Sequence, residues 1–67
     1  MQITINGNLR DFEPVQMTVA ALVTTLNLEG KRLAIEHNGE IVPRSQFIDV
    51  ILQNGDHLEI VGAVGGG

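Results

Sequence analysis

Three Asn-Gly pairs, Asn6-Gly7, Asn38-Gly39 and Asn54-Gly55, punctuate a chain of 67 residues. Few dipeptides constrain a backbone as strongly. A type I′ hairpin turn needs positive φ at both central residues, and Asn-Gly supplies them at little steric cost. Gln2-Ile3-Thr4-Ile5 leads into the first pair. It alternates polar and apolar residues, so it reads as a strand with Ile3 and Ile5 facing inward. Leu9 to Glu13 is the returning strand. It carries Arg10 and Asp11 and stops at Pro14, features that suit a sheet edge. Leu33 to His37 leads into the second pair, and Glu40-Ile41-Val42 is its short antiparallel partner, ended by Pro43. The third pair lies in the turn Gln53-Asn54-Gly55-Asp56. A last strand follows from His57 to Val61, with Leu58 and Ile60 on one face and His57, Glu59 and Val61 on the other.

Between the first two hairpins the period changes. Val19, Leu22, Val23 and Leu26 stand at i, i+3, i+4 and i+7, a single helical stripe. Thr18 offers a side-chain oxygen as N-cap. Valine and threonine are mediocre helix formers, so tertiary packing must hold this helix. Asn27 to Gly30 ends it, with Gly30 able to supply a left-handed residue. Arg44 to Phe47 suggests a turn or one 3₁₀ turn. Ile48 to Leu52 is apolar without a clear period, and no element is assigned to it. The order is strand, strand, helix, strand, short strand, loop, strand. That order predicts an α+β domain: one mixed sheet of four to five strands with a helix packed on one face. The first and last strands form its natural central parallel pair, and the helix region provides the crossover.

Sixty-seven residues make one domain with a small core. The chain has no cysteine, which removes disulfides, thiolate metal sites and cysteine nucleophiles. A small domain without disulfides suits a reducing, cytoplasmic setting. The first residues already alternate like a strand, unlike a signal peptide, and no apolar run nears the ~20 residues of a membrane span. Eight acidic residues against four basic ones give a net charge of −4. With no tryptophan or tyrosine and two phenylalanines, the chain lacks both the basic face and the stacking platforms of a nucleic-acid binder. An acidic protein of this size suits a larger protein partner with a basic docking surface.

The chain closes on Val64-Gly65-Gly66-Gly67. Three glycines add nothing to a core and are entropically expensive to order. Residues 1–61 are therefore expected to form the folded body, and residues 62–67 a flexible tail. Such a tail can enter a channel too narrow for any Cβ and present the Gly67 carboxylate at its tip. Ordering residues 62–67 on binding costs roughly 1–2 kcal/mol each, which side-chain-free glycines cannot recover. The body must dock as well. The exposed sheet face near the last strand is the expected surface, with Val61 and Val64 as apolar candidates; ordinary strand packing is the other reading of Val61.

With this element order, Glu36-His37-Asn38-Gly39-Glu40-Ile41-Val42-Pro43-Arg44, the Asn54-Gly55-Asp56 turn and the Val64-Gly65-Gly66-Gly67 ending, the chain resembles the β-grasp family of ubiquitin-like proteins and bacterial sulfur carriers. Within it the chain is similar to the ThiS family, the sulfur carriers of thiamine thiazole biosynthesis. The resemblance implies a carrier, not an enzyme, with no bound cofactor. An E1-like, ThiF-type adenylyltransferase would use ATP to adenylate Gly67, a sulfur donor protein would convert it to a thiocarboxylate, and a ThiG-type thiazole synthase would receive the sulfur. Gly65 and Gly66 would let the tail enter both active sites. The free carrier is expected to be a monomer that binds neither nucleic acid nor membrane. The small subunit of molybdopterin synthase, a ubiquitin-like protein modifier and a plain binding module are the competing readings.

Other polar residues carry less. His37 and His57 are expected to be exposed, with no carboxylate triad to make a metal site. Asp49, Asp56 and Glu59 read as solvated surface charge. Arg44 reads as a structural salt bridge, with a partner contact as the other reading. Ser45 lacks the flanks of a nucleophile elbow.

Overall fold

The structure, a computed structural model, describes residues 1–62. The first hairpin pairs β1 (Gln2–Ile5) with β2 (Asn8–Asp11), antiparallel, from Gln2 opposite Asp11 to Ile5 opposite Asn8. Asn6 and Gly7 have φ of 51° and 83°, the two positive values that a type I′ turn requires. The second hairpin repeats the device between β4 (Leu33–His37) and β5 (Glu40–Ile41), with Asn38 at 50° and Gly39 at 88°. The third Asn-Gly pair behaves differently. Only Gly55 has positive φ, and Asp56 N donates to Gln53 O, the pattern of a type II turn. It does not join hairpin partners. Instead it is tied to the start of β1: Gln2 N donates to Asn54 Oδ1 at 2.7 Å and Gly55 N to Gln2 O at 2.8 Å.

The last strand, β7 (His57–Gly62), runs one residue further than the sequence suggested, because Gly62 still pairs with Leu33. It is parallel to β1 and antiparallel to β4. The five-stranded sheet has the order β2-β1-β7-β4-β5. The first and last strands are thus neighbours at its centre and β2 is an edge, as the sequence predicts.

The helix α1 spans Val19–Thr25. Thr18 Oγ1 accepts from Ala21 N at 3.0 Å, so the predicted N-cap is in place. Val19, Leu22 and Val23 are buried, and Leu26 packs at the margin of the core. At the other end the left-handed residue is Asn27, with φ of 60°, in place of Gly30. Asn27 N donates to Thr24 O and Leu28 N to Val23 O, which together form a Schellman motif. Gly30, at 78°, serves the next turn.

One feature has no counterpart in the sequence reading. Gln16–Thr18 forms β3, which pairs with β6 (Ile51–Gln53) as a second, two-stranded antiparallel sheet. The expected 3₁₀ turn spans Arg44–Gln46. The connection from it to β6 satisfies the helix: Val19 N donates to Val50 O and Ala20 N to Phe47 O, two amides that would otherwise lack partners at a helix start. Phe47 and Leu52 from this stretch enter the core with Ile3, Ile5, Ile35, Leu58 and Ile60. No helix among the described residues is long and apolar enough to cross a membrane.

Candidate functional site: the open sheet face below the C-terminal strand

In an antiparallel pair, directly opposed side chains share a face. The registers therefore assign every strand residue. Ile3, Ile5, Ile35, Leu58 and Ile60 point at α1 and are buried. The opposite face carries no helix. On it, Leu9 lies opposite Thr4, which is in register with His57 of β7. Glu59 lies opposite Glu36, and Glu36 opposite Ile41. Val61 lies opposite Ala34, one step before β7 ends. Leu9, Ile41 and Val61 are all more than half exposed.

Val61 is 57% exposed, so it is not a packed core residue. It occupies the surface where the sequence reading placed a docking site. Its companions Ala34, Ile41 and Leu9 were missed. The alternation of β4 could have given Ala34, since Leu33 and Ile35 both turn inward. Ile41 and Leu9 join the patch only through hairpin register. Val64, Gly65, Gly66 and Gly67 lie outside the described residues.

The centre of this face is electrostatically frustrated. Two glutamates directly opposed across strands destabilise a sheet by a few tenths of a kcal/mol to about 1 kcal/mol. Neither Glu36 nor Glu59 has an ion-pair partner among the described residues. The face's strand residues include Asp11 but no lysine or arginine. A cationic partner surface would relieve the repulsion.

Two polar residues differ from expectation: His37 is not fully exposed, and Asp56 is not a simple solvated charge. His37 Nε2 lies 2.7 Å from Asp56 Oδ2, with their side chains only 22% and 18% exposed. Asp56 Oδ2 also accepts from Gln53 N at 2.9 Å, and Oδ1 accepts from Asn38 Nδ2 at 3.3 Å. Asn38 Oδ1 in turn accepts from His57 N at 2.8 Å. This network clips the β4–β5 turn to the turn before β7. Burial pushes the Asp56 carboxyl up, but the hydrogen bonds from His37, Gln53 and Asn38 outweigh it and hold it below its ordinary value of 3.8. The ionised form is therefore the one the fold favours. Its contribution is complete above the unfolded value and drains away as pH falls through the lower folded one. Asp56→Asn should cost about 1–2 kcal/mol at neutral pH, since hydrogen bonds to charged groups contribute most where solvent is partly excluded. Denaturant melts should show the gap to the parent closing below pH 3.8; a gap that widens in acid would refute the assignment. His57 itself is exposed, as are Asp49 and Glu59. Arg44 is structural, its Nη2 donating to Lys31 O at 2.8 Å.

A mixed sheet with a crossover helix on one face, an open opposite face and a central strand delivering the C-terminal segment defines a β-grasp protein of the ubiquitin-like class. Comparison with known proteins narrows the class. The ThiS family model matches residues 3–67. The sulfur carrier protein ThiS of Bacillus subtilis is 32% identical over 65 residues, covering 97% of this chain and 98% of that protein. A thiazole synthase of Paramagnetospirillum magneticum is 45% identical over all 67 residues. A second thiazole synthase, from Magnetococcus marinus, is 33% identical over the same length. The chain spans about a fifth of the length of these two synthases. The crystal structure of the thiamine biosynthesis protein ThiS from Geobacter metallireducens superposes with a TM-score of 0.89 at 28% identity, each chain fully covered. The chain belongs to the ThiS family.

Proposed function

We propose that this chain is a sulfur carrier of thiamine biosynthesis, and that its working group is the Gly67 carboxylate. The observation that carries the reading is the match over nearly the full length of both chains to the Bacillus subtilis sulfur carrier. The two thiazole synthases that contain a region similar to this chain support a thiazole synthase as the sulfur acceptor.

The chemistry follows from the terminus. A carboxylate is a poor electrophile, and sulfur cannot displace its oxygen directly. In the first step a Gly67 oxygen attacks the α-phosphorus of ATP on an E1-like adenylyltransferase, and pyrophosphate leaves. In the second, hydrosulfide released by a donor protein attacks the acyl carbon, AMP leaves with the original oxygen, and the proton is lost to solvent. The product is a thiocarboxylate, which the thiazole synthase unloads. Glycine leaves the acyl carbon unhindered, and Gly65 and Gly66 pass through a narrow channel without a Cβ clash. A deep, dry channel also protects the sulfur from loss to water. The carrier contributes recognition, not catalysis: Val61, Ala34 and Ile41 form the apolar part of the docking face, with Val64 expected to extend it.

Incubation with ATP, the adenylyltransferase and the sulfur donor, followed by intact mass measurement, tests the reading. Sulfur should replace one oxygen at the C-terminus; an unchanged mass would leave a plain binding module. Val61→Asp separates docking from folding. Exposed substitutions usually alter stability by less than about 0.5 kcal/mol. The melting curve should therefore hold while the rate of adenylation at low carrier concentration falls about tenfold or more. An unaffected rate would remove Val61 from the docking face.

A further inference from the structure

Behind the sheet, on the helix side, a groove of about 440 Å³ opens between the end of α1 and the last strand. Leu26, Leu28, Leu33, Ile60 and Gly62 line it, together with Arg10 and Lys31. Leu26, Leu28 and Leu33 are only partly buried, so apolar surface remains available there. Two of the chain's four cationic side chains meet at this groove, in a protein of net charge −4. Neither forms an ion pair among the described residues. The open sheet face is acidic; this groove is its electrostatic opposite.

Reach decides what can lie over it. Residues 63–67 are five residues, and an extended chain spans at most ~3.3–3.6 Å per residue. A partner that takes Gly67 into its active site must hold that site within about 18 Å of Gly62. Its entrance must be nearer still. The partner's body therefore stands against the surfaces around Gly62, and the groove is one of them.

On the reading that the chain delivers sulfur to a thiazole synthase, we propose that the groove receives an acidic segment of that enzyme. The segment would place an aliphatic side chain among Leu26, Leu28 and Leu33 and a carboxylate between Arg10 and Lys31. Rim charges of this kind act chiefly on the encounter rate and its salt dependence, while the apolar anchor sets residence.

The test uses the full chain, with its leucine methyl groups labelled, titrated with the thiazole synthase of the same organism. The Leu26, Leu28 and Leu33 methyl resonances should shift on binding. The double variant Arg10→Glu with Lys31→Glu should bind about tenfold more weakly and lose most of the salt dependence of association. Arg10→Lys with Lys31→Arg should restore both. Both side chains are exposed, so the variants should melt like the parent. If the parent binds but its groove methyls stay still, or the charge reversal binds equally well, the groove proposal is wrong and the carrier reading survives. If the parent does not bind the synthase at all, the carrier reading itself fails. If deleting residues 63–67 shifts the same methyls in the free chain, the chain's own tail is the occupant and the assignment to a partner is overturned.

Discussion

Removing Gly67 alone should reduce ATP-dependent activation at least about a hundredfold and leave the fold untouched. The shortened chain still ends in a glycine carboxylate, so the chemistry of the tip is unchanged. Its position is not. One residue withdraws the carboxylate by about 3.3–3.6 Å, and a misplacement of only 1 Å from the reacting geometry can cost about 10²-fold. On the proposed reading the body docks against the enzyme as well, and so cannot follow the tip inward. Stability should not change, since glycine has no side chain to bury and Gly67 lies five residues beyond the last described residue of β7, Gly62. ATP–pyrophosphate exchange reads the first effect and a thermal melt the second. A truncated chain activated at the parent rate would show that the enzyme does not measure tail length.

Leu22→Ala should have the opposite profile, loss of fold with an intact tail. Leu22 is fully buried and sits in the middle of the only stripe that attaches α1 to the sheet. Truncating a buried leucine costs about 2–5 kcal/mol, through lost burial and the cavity left behind. A domain of this size shifts its melting temperature by roughly 4–8 °C per kcal/mol. The midpoint should therefore drop by about 8–40 °C. The loss should be steep because helix propensity cannot compensate: Val19, Val23, Thr24 and Thr25 all prefer other conformations. A drop of only a few degrees would mean that the capping carbonyls of Phe47 and Val50 hold the helix more than its apolar face does.

The fold was legible where local chemistry dictates the backbone. Asn6-Gly7 and Asn38-Gly39, each set between two strand-like runs, favour a type I′ turn, whereas Asn54-Gly55, without such a pair of runs, takes a type II turn; Val19, Leu22 and Val23 admit one inward face. The small second sheet was not legible. Gln16-Met17-Thr18 is three residues long, and its partner Ile51-Leu52-Gln53 lies more than thirty residues away. Nothing local signals such a pairing. The helix ends at the start of the predicted Asn27–Gly30 stretch, on Asn27 and not on Gly30. Asn27 accepts a left-handed backbone nearly as readily as glycine, and it comes first in the chain. At the docking face, Val61 could be placed from the alternation of its own strand. Glu36, Ile41 and Leu9 required the cross-strand register. Asp56 reads as solvated charge from its own segment, and its role as the clip between two turns appears only when His37 and Asn38 are brought beside it.

The claim on which all of this rests is that sulfur travels on the end of this chain. It can be followed directly. Carrier loaded at Gly67 with isotopically labelled sulfur is mixed with the thiazole synthase and its other substrates, and both products are weighed. The account predicts labelled thiazole and a carrier returned to its carboxylate mass, one sulfur for one chain. Thiazole that forms without label, while the labelled sulfur stays on the carrier, would contradict it.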